Sequence, residues 1–157
     1  MVRARFAWLA VPAIAITAIT GGCGSGKEEL SAAELRQKAD AICRQEQARF
    51  DQIQAHAPAN ASIAADQTRE LIDVSQAASS DLTDLEPPES LADAYDRYLD
   101  ARDRALDQMK GGQEAAENRD SAGYAAAQTA VAKDAPERRR LAAALGMRVC
   151  AANPRSG

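Results

Sequence analysis

Three observations in this 157-residue sequence predict an all-α fold, an antiparallel four-helix bundle. β-branched residues are sparse and never alternate with polar ones over a strand's length, so strand signals are nearly absent. Apolar residues instead recur three and four apart in four separate segments, the spacing of one helix face. Short connections rich in proline, glycine and asparagine divide the segments, and short connections make neighbouring helices antiparallel.

The first helix is predicted from Ser31 to about Ala57. Ser31 and Glu34 have the spacing of a capping box, in which each side chain satisfies a backbone donor of the other. Leu35, Ala39, Ile42, Phe50 and Ile53 form its stripe, interrupted once by Glu46, which is expected at the stripe's edge and in reach of water. Pro58 marks the end. A second helix is predicted from Ser62 to near Glu86, with Ala64, Leu71, Val74, Ala78, Leu82 and Leu85 inward. Pro87-Pro88 then turns a sharp corner, because proline removes a donor and restricts the residue before it.

The third helix follows that corner, with Glu89 suited to its positive N-terminus and Leu91, Tyr95, Tyr98, Leu99, Arg102, Leu106 and Met109 as its stripe. Gly111-Gly112 costs roughly 2 kcal/mol in a helix interior relative to alanine. The pair reads as a stop or a weak point, with continuation to Asn118 as the alternative. Asp120 or Ser121 caps a fourth helix carrying Tyr124, Ala127, Val131 and Ala135. Pro136, flanked by a second capping-box pair in Asp134 and Glu137, predicts a kink or a break and restart. Leu141, Leu145 and the C-cap Gly146 close the helix, and residues 153–157 read as a disordered tail. Alanine dominates the inner faces, so helices can approach closely but each contact buries little area, and at about 25 cal/mol per Å² the core is modest.

The bundle domain, residues 31–152, is preceded by a different kind of segment. Arg3 and Arg5, the apolar run Phe6 to Ile19, and Thr20-Gly21-Gly22 before Cys23 follow the order of an export signal. The apolar run is about 14 residues, short of the roughly 20 a membrane span requires, and Pro12 interrupts it. Gly22-Cys23 resembles the lipobox of bacterial lipoproteins, although Thr20 stands where an aliphatic residue is usual. That resemblance implies cleavage after residue 22, a diacylglyceryl group on Cys23, and a tether over residues 23–30 that begins Gly24-Ser25-Gly26-Lys27. The alternative is an ordinary secretory signal cut near Ala18. Two or three acyl chains on one cysteine anchor firmly, each buried methylene contributing about 0.8 kcal/mol.

Under the lipoprotein reading Cys43 and Cys150 remain as a pair, and outside the cytoplasm such a pair is expected to be a disulfide. A loop of that size contributes about 4.7 kcal/mol by chain-entropy reasoning, a large share of a small domain's stability of about 5–15 kcal/mol. Loss of residues 1–22 removes two of the 19 basic residues, leaving 17 against 23 acidic and a net charge near −6. An acidic domain of this kind is not drawn to nucleic acid or to anionic headgroups.

Ala39-Asp40-Ala41-Ile42-Cys43, Leu85-Glu86-Pro87-Pro88, Leu91, Tyr95 and Leu145-Gly146-Met147 before Cys150 together resemble small secreted actinobacterial lipoproteins of uncharacterised function. The likeness rests on structural motifs and carries over no active site. Catalytic and metal constellations are not expected. His56 is the single histidine, which leaves no E-x-x-H pair for a di-iron centre and only an exposed helix end for a triad. Gly24-Ser25-Gly26-Lys27 lacks the strand and spacing of a phosphate loop, and Asp81, Asp84, Glu86 and Glu89 lack EF-hand spacing. Arg138-Arg139-Arg140 reads as a solvated face with one stem packed on the bundle, against docking of an acidic partner or phosphate. Tyr95, Tyr98 and Tyr124 read as core residues, or else as the edge of a ligand slot between helices.

The expectation is a lipid-anchored, non-enzymatic binding protein at the extracytoplasmic face, without cofactor. It would engage an envelope protein or, alternatively, carry or sense a small apolar ligand between its helices.

Overall fold

The structure, a computed structural model, describes residues 28–57 and 59–152. The signal segment, Cys23, most of the tether, Pro58 and the tail at 153–157 lie outside the described residues. The described chain is all-helical: α1 (Ala32–Ile53), α2 (Ala61–Thr83), α3 (Ala92–Glu117) and α4 (Ser121–Ala144), with a short 3₁₀ turn at Glu89–Leu91 leading into α3.

Local chemistry fixes the helix starts. Ser31 Oγ accepts from the Glu34 N–H at 3.3 Å while Glu34 Oε2 accepts from the Ser31 N–H at 2.9 Å, completing the capping box. The Ser31 hydrogen bonds hold the exposed Glu34 carboxyl below the usual carboxylate range. Asn60 caps α2 by accepting from the Ile63 N–H at 3.0 Å, so α2 begins before the expected Ser62. It ends at Thr83, ahead of the expected Glu86. Asp120 caps α4 through the Gly123 N–H at 2.9 Å.

Packing decides between two pairs of alternatives that the sequence leaves open. α3 runs unbroken through Gly111-Gly112 to Glu117, because a Cβ at the buried Gly112 would stand 3.1 Å from the Ala127 Cβ. The glycine is there to let α4 approach, and tertiary contact outweighs helix propensity. α4 likewise continues through Pro136 rather than ending and restarting. The expected second capping box does not form: Asp134 accepts from Gln108 Nε2 at 2.8 Å, and Glu137 pairs with Arg140 at 2.7 Å. Pro136 and Ala132, whose carbonyl loses the proline's missing N–H, both lie on the exposed side, where water can serve that carbonyl.

α3 packs closely on α4 and on α2, and α2 on α1, giving the antiparallel order. α1 and α4 do not approach backbone to backbone along their lengths. The bundle is closed at one end only, where Leu35, Ala39, Leu82, Tyr95, Tyr98, Ala142, Leu145 and Met147 form the core. Gly146, at φ +77°, makes the turn there, with Gly146 N–H donating to Ala143 O at 2.9 Å and Met147 N–H to Ala142 O at 3.0 Å. That is a Schellman motif, and it sends Met147 into the core. The segment after it returns to α1 through the Cys43–Cys150 disulfide, whose Cα atoms are 5.2 Å apart.

Gly111 and Gly112 separate propensity from packing. Gly111 is exposed with open space at its Cβ position, so Gly111→Ala should raise stability by about 0.5–1 kcal/mol. Gly112→Ala should gain nothing or lose stability, because its Cβ pushes α4 away. Urea titrations followed by circular dichroism check both, and equal stabilisation by the two alanines would contradict the packing account.

Candidate functional site

The open seam between α1 and α4 forms a cleft of about 620 Å³. It starts beneath the disulfide end and runs toward the α1–α2 and α3–α4 turns. A smaller depression of about 150 Å³ lies between α1 and α2, bordered by Ile42, Arg49, Val74 and Asp81.

The cleft's inner end is polar and built on one guanidinium. Arg102 Nη2 and Nη1 donate to Glu46 Oε1 and Oε2 at 2.8 and 3.1 Å, a bidentate pair between α3 and α1. The two side chains are only 13% and 12% exposed, so Glu46 is not the water-reaching edge residue expected from the sequence. Arg102 Nε donates to Ser79 Oγ of α2 at 3.3 Å, and Nη1 also meets Tyr98 Oη at 3.5 Å. Tyr98 lies 3.7 Å from Cys43 Sγ, and because that sulfur is in a disulfide the tyrosine hydroxyl is the donor. One arginine thereby joins three helices, and through Tyr98 it reaches the disulfide. Burial disfavours its charge, but the Glu46 carboxylate more than offsets this and holds Arg102 above the ordinary arginine range. Burial raises the Tyr98 phenol, against the opposing influence of Arg102, which keeps it a neutral donor.

Arg138 of α4 borders the same end with a different status. Its Nη1 is buried and has no hydrogen-bond partner. Burial, and next the like charge of Arg102, push this guanidinium below the ordinary arginine range despite attraction from Tyr98, Glu46 and Asp134. Toward the other end the lining is mixed: Phe50, Leu71, Leu106, Met109 and Val131 come from four helices, Ala132 and Ala135 form a smooth wall on α4, and Asp51, Gln54, Thr68 and Gln128 stand among them.

Of the three tyrosines, the structure brings two to the cleft. Tyr98 lies on its floor, and Tyr124, 36% exposed, stands at its rim. Tyr95 is a core residue, 1% exposed, with its hydroxyl donating to Leu82 O at 2.8 Å, so it leaves the slot. Burial is the main cause of its strongly raised phenol. Arg138 and Arg139 are both half-buried and line the cleft while Arg140 is exposed, so two stems pack on the bundle where one was expected. Asp81, Asp84, Glu86 and Glu89 are exposed, as is His56 beside the α1–α2 connection. Among the described residues no group of three or more His, Cys, Asp or Glu side chains is placed to hold a metal, and no helix is long and apolar enough to cross a membrane.

Sequence reading missed Glu46, Arg102 and Arg138 as a set. The available signal was a charge inside each of two apolar stripes, Glu46 in α1 and Arg102 in α3, which is where a buried pair would have to stand. Ser75 and Ser79 were missed as well: both are 8% exposed, and the buried face of α2 includes them and Ile72. No family model, no curated protein and no solved structure matches this chain.

The pair predicts a distinctive mutational pattern. Glu46→Leu or Arg102→Met alone should cost about 3 kcal/mol, because each strands a buried charge. The double replacement should recover most of that loss, since an apolar pair has no charge left to desolvate. A double-mutant cycle by urea denaturation reads this, and additive losses would deny the coupling.

Proposed function

We propose that this protein is a lipid-anchored, non-enzymatic binding protein on the extracytoplasmic face, and that it carries or senses a small, largely apolar ligand in the α1–α4 cleft. The observation that carries the reading is the cleft itself. Its volume of about 620 Å³ falls within the roughly 300–1,000 Å³ of small-molecule sites, and its lining brings apolar side chains from four helices together with many polar and charged ones. This favours the carrier reading over docking of an envelope protein, which a flat or convex helical face would serve. The export order of residues 3–23 and the Gly22-Cys23 pair support the anchor, and the Cys43–Cys150 disulfide suits an oxidising compartment. The resemblance to small actinobacterial lipoproteins agrees with that location.

Two measurements test the two halves of the proposal. N-phenyl-1-naphthylamine, an uncharged apolar fluorophore, should bind the full chain saturably at one site with enhanced emission. Ala132→Phe, at an exposed position on the cleft wall, should reduce its affinity at least tenfold without lowering the melting temperature. Absence of saturable uptake, or uptake indifferent to Ala132→Phe, overturns the cleft reading. For the anchor, the wild-type chain expressed in a lipoprotein-processing bacterium should fractionate with membranes, and Cys23→Ala should move it to the soluble fraction or stall its processing. Equal partitioning of the two would leave an ordinary secreted protein.

A further inference from the structure

The cleft's two ends differ in chemistry, and its charge does not balance. Glu46 gives both carboxylate oxygens to Arg102, so that pair is closed. Arg138 then stands at the same end with a buried Nη1 that nothing in the structure satisfies. A guanidinium held partly out of water without a counter-charge is costly, and the rest of the half-buried Arg138 side chain lines the cleft, where an anion can reach it. The local positive excess also runs against the chain as a whole, whose net charge is −4. From Arg138 the α4 wall passes Val131 to Tyr124, fourteen residues or about 21 Å at 1.5 Å per residue, and it is apolar or small for most of that length.

We infer that the ligand of this cleft is a single-chain amphiphile with a carboxylate head, its head paired with the Arg138 guanidinium and its chain lying along Val131, Met109 and Phe50. This rests on the proposed function and names the ligand class for the same cleft. A planar carboxylate matches a guanidinium fork and supplies a negative charge at an end where Arg138 and its neighbour Arg139 both line the cleft without an ion-pair partner among the described residues. A cationic head would add to Arg102 and Arg138. A neutral head would leave the buried charge unpaired. A second acyl chain would need more room than a cleft of about 620 Å³ offers. The depressed proton affinity of Arg138 is consistent with a desolvated cation awaiting an anion.

The test holds the chain constant and changes the head. Dodecanoate, 1-dodecanol and dodecyltrimethylammonium compete against N-phenyl-1-naphthylamine on the full-length protein, with dodecanoate stoichiometry checked by native mass spectrometry. Dodecanoate should form a 1:1 complex and bind at least tenfold more tightly than either other head. Arg138→Gln should remove that preference, weakening dodecanoate at least tenfold more than it weakens dodecanol, and Arg138→Lys should restore part of it. Should Arg138→Gln fail to fold, the wild-type ranking of the three heads decides alone. Equal affinity for dodecanoate and dodecanol, no dodecanoate complex, or an Arg138→Gln variant that keeps the preference overturns the inference. If the fluorophore still binds in those cases, the cleft reading survives; if the fluorophore itself does not bind, that reading falls first.

Discussion

The structure depends on how α1 is held, because α1 packs on α2 along its length but is joined to the α4 side only at one end. Its grip is the segment after α4. Asp40 accepts from three consecutive backbone N–H groups, Val149 and Cys150 at 2.8 and 3.3 Å through Oδ1 and Arg148 at 3.1 Å through Oδ2. Gln47 Nε2 donates to Val149 O at 3.0 Å and Arg36 Nε to Leu145 O at 2.9 Å, the latter placing a cation on the negative end of α4. The disulfide makes the attachment covalent across a sequence separation of 107 residues. For a core built on alanine and a few large side chains, a constraint on the unfolded chain of about 4.7 kcal/mol at that loop size is of the order of the whole stability. A bundle so stapled does not need α1 packed against α4, and the seam left between them is the cleft.

The polar floor follows from the same arrangement. With α1 and α4 apart, Glu46–Arg102 joins α1 directly to α3 below the staple, beside the packing of α1 on α2. An apolar pair could fill the space with comparable stability, since desolvation consumes most of what a buried ion pair gains. What the ion pair adds is direction: bidentate geometry fixes the rotation of α1 about its axis, and Ser79 and Tyr98 fix the guanidinium in turn. The floor is therefore positioned from three helices before any ligand arrives, which limits the ordering cost of binding.

The fold was legible in the sequence because it rests on local chemistry. The Ser31–Glu34 box, the Pro87-Pro88 corner and Gly146 each act within a few residues, and each does what its residue type dictates. Legibility failed where a distant helix decided the outcome. Gly112 reads as a breaker until Ala127 is placed against it, and Asp134 reads as a cap until Gln108 arrives to use it. Glu46 reads as an edge residue because its partner lies 56 residues away. Tyr95 and Tyr98, three apart on one helix, take opposite roles because only Tyr98 faces the seam. The turn at Arg119, at φ +58°, shows the same limit: a non-glycine residue adopts the left-handed conformation because the Asp120 N–H bonds Ala115 O at 2.8 Å and the neighbouring helices hold the turn.

Alanine gives these elements a common meaning. On α3 and α4 it permits close approach, with Ala101, Ala105 and Ala142 buried. On the α4 face that α1 does not cover, Ala132 and Ala135 leave a smooth wall with no side chain to close the gap. A bundle designed for stability alone would fill that gap with leucine, each contributing about 1.5–3 kcal/mol. This chain leaves it open, places apolar side chains from four helices along it, and sets a half-buried cation at its head. An unfilled seam costs stability, and so does a half-buried guanidinium without an ion-pair partner. One amphiphilic anion would relieve both, supplying apolar contact along the wall and a counter-charge at Arg138. That shared remedy is why the two defects are better read as one site than as separate imperfections of packing.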